Sequence, residues 1–289
     1  MFNNTAIKKV IIARNNKDLA FFLTNFRSKN EHKTIGFIPT MGALHNGHMS
    51  LIKEAKAHCE FVVCSLFVNP TQFNDSKDLD KYPRTEKEDL TLLELNNCDL
   101  VFIPSESDIY PKKIKDYSIN FNGLDKVMEG KYRDGHFNGV CMVVERFFNL
   151  IEPNFAFFGR KDFQQVAIIK HMVNVKHLEI TIISCSIKRE DSGLAMSSRN
   201  SLLSDKEKEN ALILNQTLKS GLDFHQKGKG YEEVYKKMLS VFDSGFLKLE
   251  YLEIVNNDSL ETVQKIDKNS SVCIAAYCGS VRLIDNCPF

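Results

Sequence analysis

Apolar and polar positions along the first two thirds of the chain switch between two periods. Short apolar runs at Thr34–Ile38, Phe61–Val68, Leu100–Ile103, Phe155–Phe158 and Ile180–Ser186 have the length and make-up of buried strands. The first four are closed by Pro39, Asn69-Pro70, Pro104 and Gly159. Between them the apolar residues recur at helical spacing. Leu51, Ile52, Ala55 and Cys59 mark a helix over Ser50–Cys59, and further helices are predicted over Glu86–Asn96 and Phe163–Val175. Val140, Val143, Val144, Phe147, Phe148 and Ile151 form a strong amphipathic stripe that stops before Pro153. Strands alternating with helices predict an α/β fold, a parallel sheet with helices on both faces, whose ligands sit beyond the carboxyl ends of the strands.

After about Ile187 the texture changes. A charged loop, KREDSGLAMSSRNSLLSDKEKEN, leads into two helical segments, Ser204–Gln226 and Tyr231–Ser244. Strands follow at Lys248–Val255, Ser271–Tyr277 and Ser280–Ile284. Helices followed by strands predict a separate, smaller α+β domain over residues 188–289, after a larger domain over 1–187. A length of 289 residues suits that division, and 43% hydrophobic residues with 21 Phe provide a core.

Charge narrows the function classes. Lys+Arg 38 against Asp+Glu 37 gives a net charge of +1, which leaves no broad electrostatic footprint for nucleic acid or an anionic membrane. A local anion site is still compatible with that balance. The opening segment MFNNTAIKKVIIARNNKD does not read as a signal peptide, and no apolar run reaches the ~18 residues of a membrane span. Eight cysteines are scattered without a C-x-x-C pair, as expected of free thiols in a cytosolic protein. A metal knuckle at Cys273 and Cys278 would lack a second ligand pair.

The most unusual stretch is GFIPTMGALHNGHMSLIKEA, residues 36–55. A strand gives way to a turn with Gly42 and Gly47, and His45 and His48 stand where a helix begins. Helix starts carry unpaired backbone N–H groups and partial positive charge, so they seat phosphate. Two imidazoles three residues apart share a helix face and can stabilise charge at a reacting phosphorus. A single histidine there would read as a cap or a surface residue. H-x-x-H could also hold a metal, but a third ligand at a recognised spacing is lacking.

The arrangement resembles the H-x-G-H signature of the nucleotidyltransferase superfamily. Six further-reaching stretches occur in order: PTMGALHNGHMSLIKEA, FVNPTQF, DLDKYPRTEKEDL, GKYRDGHFNGV, FGRKDFQQ and SGLAMSSRN. Together they resemble the pantoate–β-alanine ligase (pantothenate synthetase) family, from about residue 36 to 205 and more weakly to the end. The resemblance implies a Rossmann-like catalytic domain and a two-step reaction. The carboxylate of (R)-pantoate attacks the α-phosphate of ATP, giving pantoyl adenylate and pyrophosphate. The amine of β-alanine then displaces AMP.

The resemblance also implies roles. Met41, Gly42, Ala43, Leu44, His45, Asn46, Gly47 and His48 would line the ATP site, with His45 and His48 on the phosphates and His48 as proton donor. Gly159, Arg160, Lys161, Asp162 and Lys188 would join them, as would Met196, Ser197, Ser198 and Arg199 on a mobile loop. Lys161 would pair with the polyphosphate; Asp162 would cap its helix or hold the ribose. Gln72 and Gln165 would hold pantoate alongside Met41, and Gln72 would also serve β-alanine, while Gln164 points elsewhere. Asn69, Tyr82, Arg133 and His136 belong to the same motifs. Glu88 and Asp89 would hold magnesium or form a solvated acidic helix start. Where the family usually has Glu, Pro and Asp, this chain has Arg160, Asp134 and Ser192. A cytoplasmic homodimer acting on small molecules, with the smaller domain closing as a lid, completes the expectation. The alternatives are another H-x-G-H nucleotidyltransferase acting on a phosphorylated small molecule, and a non-catalytic nucleotide sensor. A tRNA-charging role lacks a tRNA platform.

Overall fold

The computed structural model describes residues 9–73, 79–80, 82–111 and 117–289. Residues 1–8 of the opening segment, and Asp78 and Lys81 of the DLDKYPRTEKEDL motif, lie outside that set. In chain order the first elements are β1 (Ile11–Ala13), α1 (Asn16–Lys29), β2 (Ile35–Thr40), α2 (Asn46–His58), β3 (Phe61–Leu66), α3 (Glu86–Leu95), β4 (Leu100–Phe102) and α4 (Glu106–Ile109). Then come α5 (Met128–Tyr132), α6 (His136–Ile151), β5 (Phe155–Gly159), α7 (Phe163–Val175) and β6 (Thr181–Cys185). The last are α8 (Asp205–Gln226), α9 (Tyr231–Phe242), β7 (Lys248–Asn256), β8 (Ser270–Cys278) and β9 (Val281–Pro288).

The chain divides into two units. The first holds residues up to Asn122, with Arg133–Gly159 and Ile168–Cys185; the second holds Gly123–Tyr132, Arg160–Ala167 and Ser186–Phe289. In the first, six parallel strands lie in the order β1-β4-β3-β2-β5-β6. Both faces are covered, so the strands read as apolar runs rather than alternating ones. Alternation decides which face each residue serves. Ile38 packs with Met49, Ile52 and Ala55 of α2, while its neighbour Phe37 meets Phe147 and Phe148 of α6 at centroid distances of 5.5 and 6.3 Å.

The chain leaves β2 toward β3 on one side, and β5 lies on the other, so the topology switches direction at β2. Ligand crevices form at such points, beyond the carboxyl ends. Thr40, Leu66 and Gly159 end their strands on that edge.

The second unit is built on an antiparallel sheet, β7-β8-β9. One face of this sheet carries Val272, Ile274, Ala276 and Leu283 against Leu214 and Leu218 of α8 and Val234 and Met238 of α9. The other face carries Tyr251, Val255, Cys273 and Ala275 and packs on Leu124, Val127, Met128 and Phe163. There a buried ion network fastens α5 to the sheet. Arg282 donates to both Glu129 oxygens at 2.7 and 2.8 Å and also pairs with Glu250, and Tyr251 donates to Glu129 at 2.7 Å. Among the described residues, no helix is long and apolar enough to cross a membrane.

Candidate active site

The histidine turn is shaped by bonds within its own chain. At the end of β2 the Thr40 hydroxyl donates to the Ser65 carbonyl at 2.6 Å, and its oxygen accepts from Gly42 N at 3.2 Å. Gly42 and Ala43 then take left-handed conformations, with φ of 80° and 50°. For Gly42 this is ordinary; for Ala43 it costs energy that its surroundings must offset. They do so through Asp89, in the first turn of α3. Its carboxylate accepts from Ala43 N at 2.9 Å, Leu44 N at 2.8 Å and the Thr85 hydroxyl at 3.1 Å. Asp89 is 2% exposed, and burial raises its carboxyl above the ordinary range although those hydrogen bonds pull downward.

His45 is the N-cap of α2 in extended backbone, and its carbonyl accepts the first helical bond from Met49 N. Gly47 N donates to His45 Nδ1 at 3.1 Å, and His45 N donates to His48 Nδ1 at 3.3 Å. This is a capping box built from two imidazoles in place of the usual hydroxyl and carboxylate. In each ring Nδ1 is the acceptor, which puts the proton of the neutral imidazole on Nε2. The centroids are 4.2 Å apart. H-x-G-H spacing therefore has a local cause: N-cap and third helical residue are the two positions whose side chains can serve each other's backbone.

A second cluster surrounds Gln72, in the 3-10 turn Pro70–Gln72 after β3. Asn69 is 1% exposed and donates its amide to Gln72 Oε1 and to the Gly139 carbonyl, both at 3.1 Å. Its Oδ1 accepts from Tyr110 at 2.7 Å and from the Thr71 hydroxyl at 3.0 Å. Gln72 Oε1 is thus held inward, and Nε2 lies 3.2 Å from Met41 Sδ. His136 Nδ1 donates to the Gln72 carbonyl at 2.8 Å, the opposite tautomer from the histidine pair. Helix α6 comes this close because residue 139 is glycine: a Cβ there would lie 2.3 Å from the Thr71 carbonyl oxygen. Gly139→Ala is expected to lower stability by about 1–3 kcal/mol, read as a shifted urea midpoint. Tyr82 is buried with its ring 5.9 Å from that of Phe73. Arg133 is half-buried and Asp134 exposed.

The first unit thus gathers Met41, the turn to His48, Asn69, Gln72 and His136 at the ends of β2 and β3. The magnesium expectation at Glu88 and Asp89 does not fit this geometry. Asp89 is turned onto its own chain's amides, Glu88 is exposed, and among the described residues no three His, Cys, Asp or Glu side chains gather to hold a metal ion. Asp89 is better described as the latch of the histidine turn.

Of the remaining predicted residues, Gly159 ends β5 in the first unit, and those from Arg160 onward belong to the second. Lys161 Nζ lies 3.4 Å from Asp162 Oδ1. The Arg160 guanidinium donates to Ser271 Oγ at 3.0 Å and sits over the Phe163 ring, so this departure from the family pattern is absorbed by the C-terminal sheet. Gln164 donates to the carbonyls of Leu124 and Val127, whereas Gln165 is half-buried. Met196 N donates to the Lys188 carbonyl at 3.0 Å, and Ser197 Oγ caps a 3-10 turn, Ser198–Leu202, by accepting from Arg199 N at 3.3 Å. Tyr110 and Gly139, which orient the Gln72 cluster, and Thr85, which bonds to Asp89, carry no spacing signal in the sequence.

A parallel α/β sheet whose switch-point strand runs into a histidine-capped helix is a nucleotide-binding arrangement. Residues 11–288 match the pantoate–β-alanine ligase family. A pantothenate synthetase of Pseudothermotoga lettingae is 45% identical over 262 residues, spanning 90% of this chain and 93% of the relative. One from Bacteroides thetaiotaomicron is 45% identical over 273 residues, spanning 93% and 95%. Crystal structures agree. Pantothenate synthetase from Thermus thermophilus superposes with a TM-score of 0.90 at 31% identity, covering 96% of this chain and 99% of that one. Pantoate–β-alanine ligase from Francisella tularensis, complexed with β,γ-ATP and β-alanine, gives 0.80 at 37% identity, covering 96% and 97%. The chain belongs to the pantoate–β-alanine ligase family.

Proposed function

We propose that the chain condenses (R)-pantoate with β-alanine through an enzyme-bound acyl adenylate. A pantoate carboxylate oxygen bonds to the α-phosphorus of ATP as the bond to the bridging α–β oxygen breaks, and pyrophosphate departs. The β-alanine nitrogen then bonds to the acyl carbon, the acyl–phosphate C–O bond breaks, and AMP departs as the amine loses a proton. The observation that carries this reading is the histidine cap. His45 and His48 each give Nδ1 to the backbone and keep a proton on Nε2, the atom with which they donate to phosphate oxygens. Charge stabilisation of that kind is the main demand of phosphoryl-type transfer.

Gln72 serves pantoate and β-alanine with its Nε2, because Asn69 occupies its carbonyl oxygen. Gln165 is the second amide for pantoate. Lys161 and the Ser197–Arg199 segment serve the polyphosphate. Magnesium has no cage of three His, Cys, Asp or Glu side chains among the described residues. The reading extends to a homodimer in the cytoplasm, a compartment that suits eight free cysteines, seven of them buried.

Pyrophosphate–ATP exchange tests the reaction. Exchange that needs pantoate and proceeds without β-alanine supports it. Exchange that ignores pantoate and follows a phosphorylated acceptor would assign another nucleotidyltransferase reaction, and ATP binding without AMP release would assign a sensor.

A further inference from the structure

Two consecutive residues of β9, Asp285 and Asn286, are 3% and 2% exposed, and their backbones pair with Ile274 and Cys273 of β8. Side chains alternate faces along a strand. Leu283 packs with α8 and α9, and Ile284 packs on the opposite layer with Phe163 and Ala167. Asp285 follows Leu283's face and Asn286 follows Ile284's. Each reaches a different loop of the second unit.

Asp285 takes Arg189 in a fork, at 2.6 and 2.9 Å. Arg189 also donates to the Gly193 carbonyl at 3.2 Å. Arg189 and Ala195 pair across a tight hairpin that turns at Gly193, with φ of 99°. That hairpin leads directly into Met196 and Ser197. On the other face, the Asn286 amide nitrogen donates to the carbonyls of Arg160 at 3.0 Å and Lys161 at 2.9 Å. The chemistry is specific at both positions. A guanidinium fork matches a carboxylate. Two converging carbonyls need an NH₂ group and would be repelled by a carboxylate. The Asn286 backbone N–H donates to Asp285 Oδ1 at 2.8 Å, so the Asp285 carboxylate is also held by the backbone of its neighbour.

We infer that the Asp285–Asn286 pair is a positioning device that holds both polyphosphate loops, residues 160–162 and 188–199, from a single strand. The inference rests on the acyl-adenylate reading, which gives those loops their task. Neither residue touches substrate; each acts through the backbone or side chain it fixes.

The test is steady-state kinetics of Asn286→Asp, with Asp285→Asn beside it. N286D is expected to raise the KM for ATP at least tenfold and lower kcat about 30-fold, while the KM for β-alanine stays within twofold. D285N is expected to move the same two parameters in the same direction. A loss of folded protein alone would lower kcat and leave both KM values unchanged, and that result overturns the proposal, as does wild-type KM for ATP in either folded variant. If N286D does not fold, Asn286→Leu, uncharged and of similar volume, carries the same expectation. If neither folds, Asn286 supports the fold rather than the loop and the proposal falls. Pantoate-dependent exchange by the unaltered protein is measured first. Its absence removes the reaction assignment, whereas exchange by that protein together with unchanged variants removes only the positioning role.

Discussion

Replacing His48 with glutamine lowers pantoate-dependent pyrophosphate–ATP exchange by about 10²–10³-fold, the usual cost of removing one donor from a developing charge. The choice of glutamine separates chemistry from folding. His48 is the third residue of α2, and its Nδ1 holds the N-cap backbone. Glutamine at that position can reach back to the same amide, as in an ordinary capping box. His48→Gln is therefore expected to unfold within about 0.5 kcal/mol of the unaltered protein, whereas His48→Ala gives up the cap as well and loses about 1 kcal/mol. His45→Asn follows the same logic at the N-cap, where asparagine is a preferred residue. Undiminished exchange by the glutamine variant would reduce the histidine pair to a helix cap and remove the basis of the proposed mechanism.

Asp89→Ala should be the most damaging change outside the substrate-binding groups. It takes the acceptor from the buried Leu44 amide and one bond from the half-buried Ala43 amide, and a buried unsatisfied donor costs ~1–3 kcal/mol. A loss of about 2–4 kcal/mol is expected in urea unfolding. Activity should fall further than stability explains. The left-handed turn at Gly42 and Ala43 sets where α2 begins, and a displacement of an ångström can cost ~100-fold in rate. The pH dependence has a definite sign. Burial holds the Asp89 carboxyl above its ordinary value, so the folded chain binds that proton more tightly than the unfolded one. The contribution of this group is complete below the ordinary carboxylate value and fades as pH rises through the raised one. The stability gap between the unaltered protein and Asp89→Ala should be widest in acid and narrow toward neutrality. A gap that widens with rising pH would show that the carboxylate's hydrogen bonds outweigh its burial.

Most of the sheet was legible because parallel strands buried on both faces leave uninterrupted apolar runs, and α7 begins and ends where its periodicity does. Element starts were harder to read. Apolar spacing alone puts the start of α2 at Ser50, whereas the glycine-histidine turn puts it near His45, where the structure has the cap. The first turn holds polar residues and its cap is a histidine rather than serine, threonine, asparagine or aspartate, so periodicity misses it. Likewise α6 starts at His136, four residues before the stripe, behind a left-handed Gly135. Neither β1 nor α1 stood out: one is three residues long, and the other fully buries only Leu19 and Leu23. The histidine pair was visible because both members lie within one turn. Asp89 was visible only as one acid among Glu86, Glu88 and Asp89, and nothing local distinguishes a latch from a solvated helix start. Asp285 and Asn286 act across more than ninety residues of sequence, a relation that spacing does not record.

The C-terminal sheet owes one of its two faces to segments encoded far upstream, Gly123–Tyr132 and Arg160–Ala167. A recombinant fragment starting at Ser186 would leave Tyr251, Val255, Cys273 and Ala275 uncovered, and Glu250 and Arg282 without Glu129. Such a piece should clump or stay molten instead of behaving as a transplantable cassette. Gene fusions and split versions of this ligase will need their break points elsewhere.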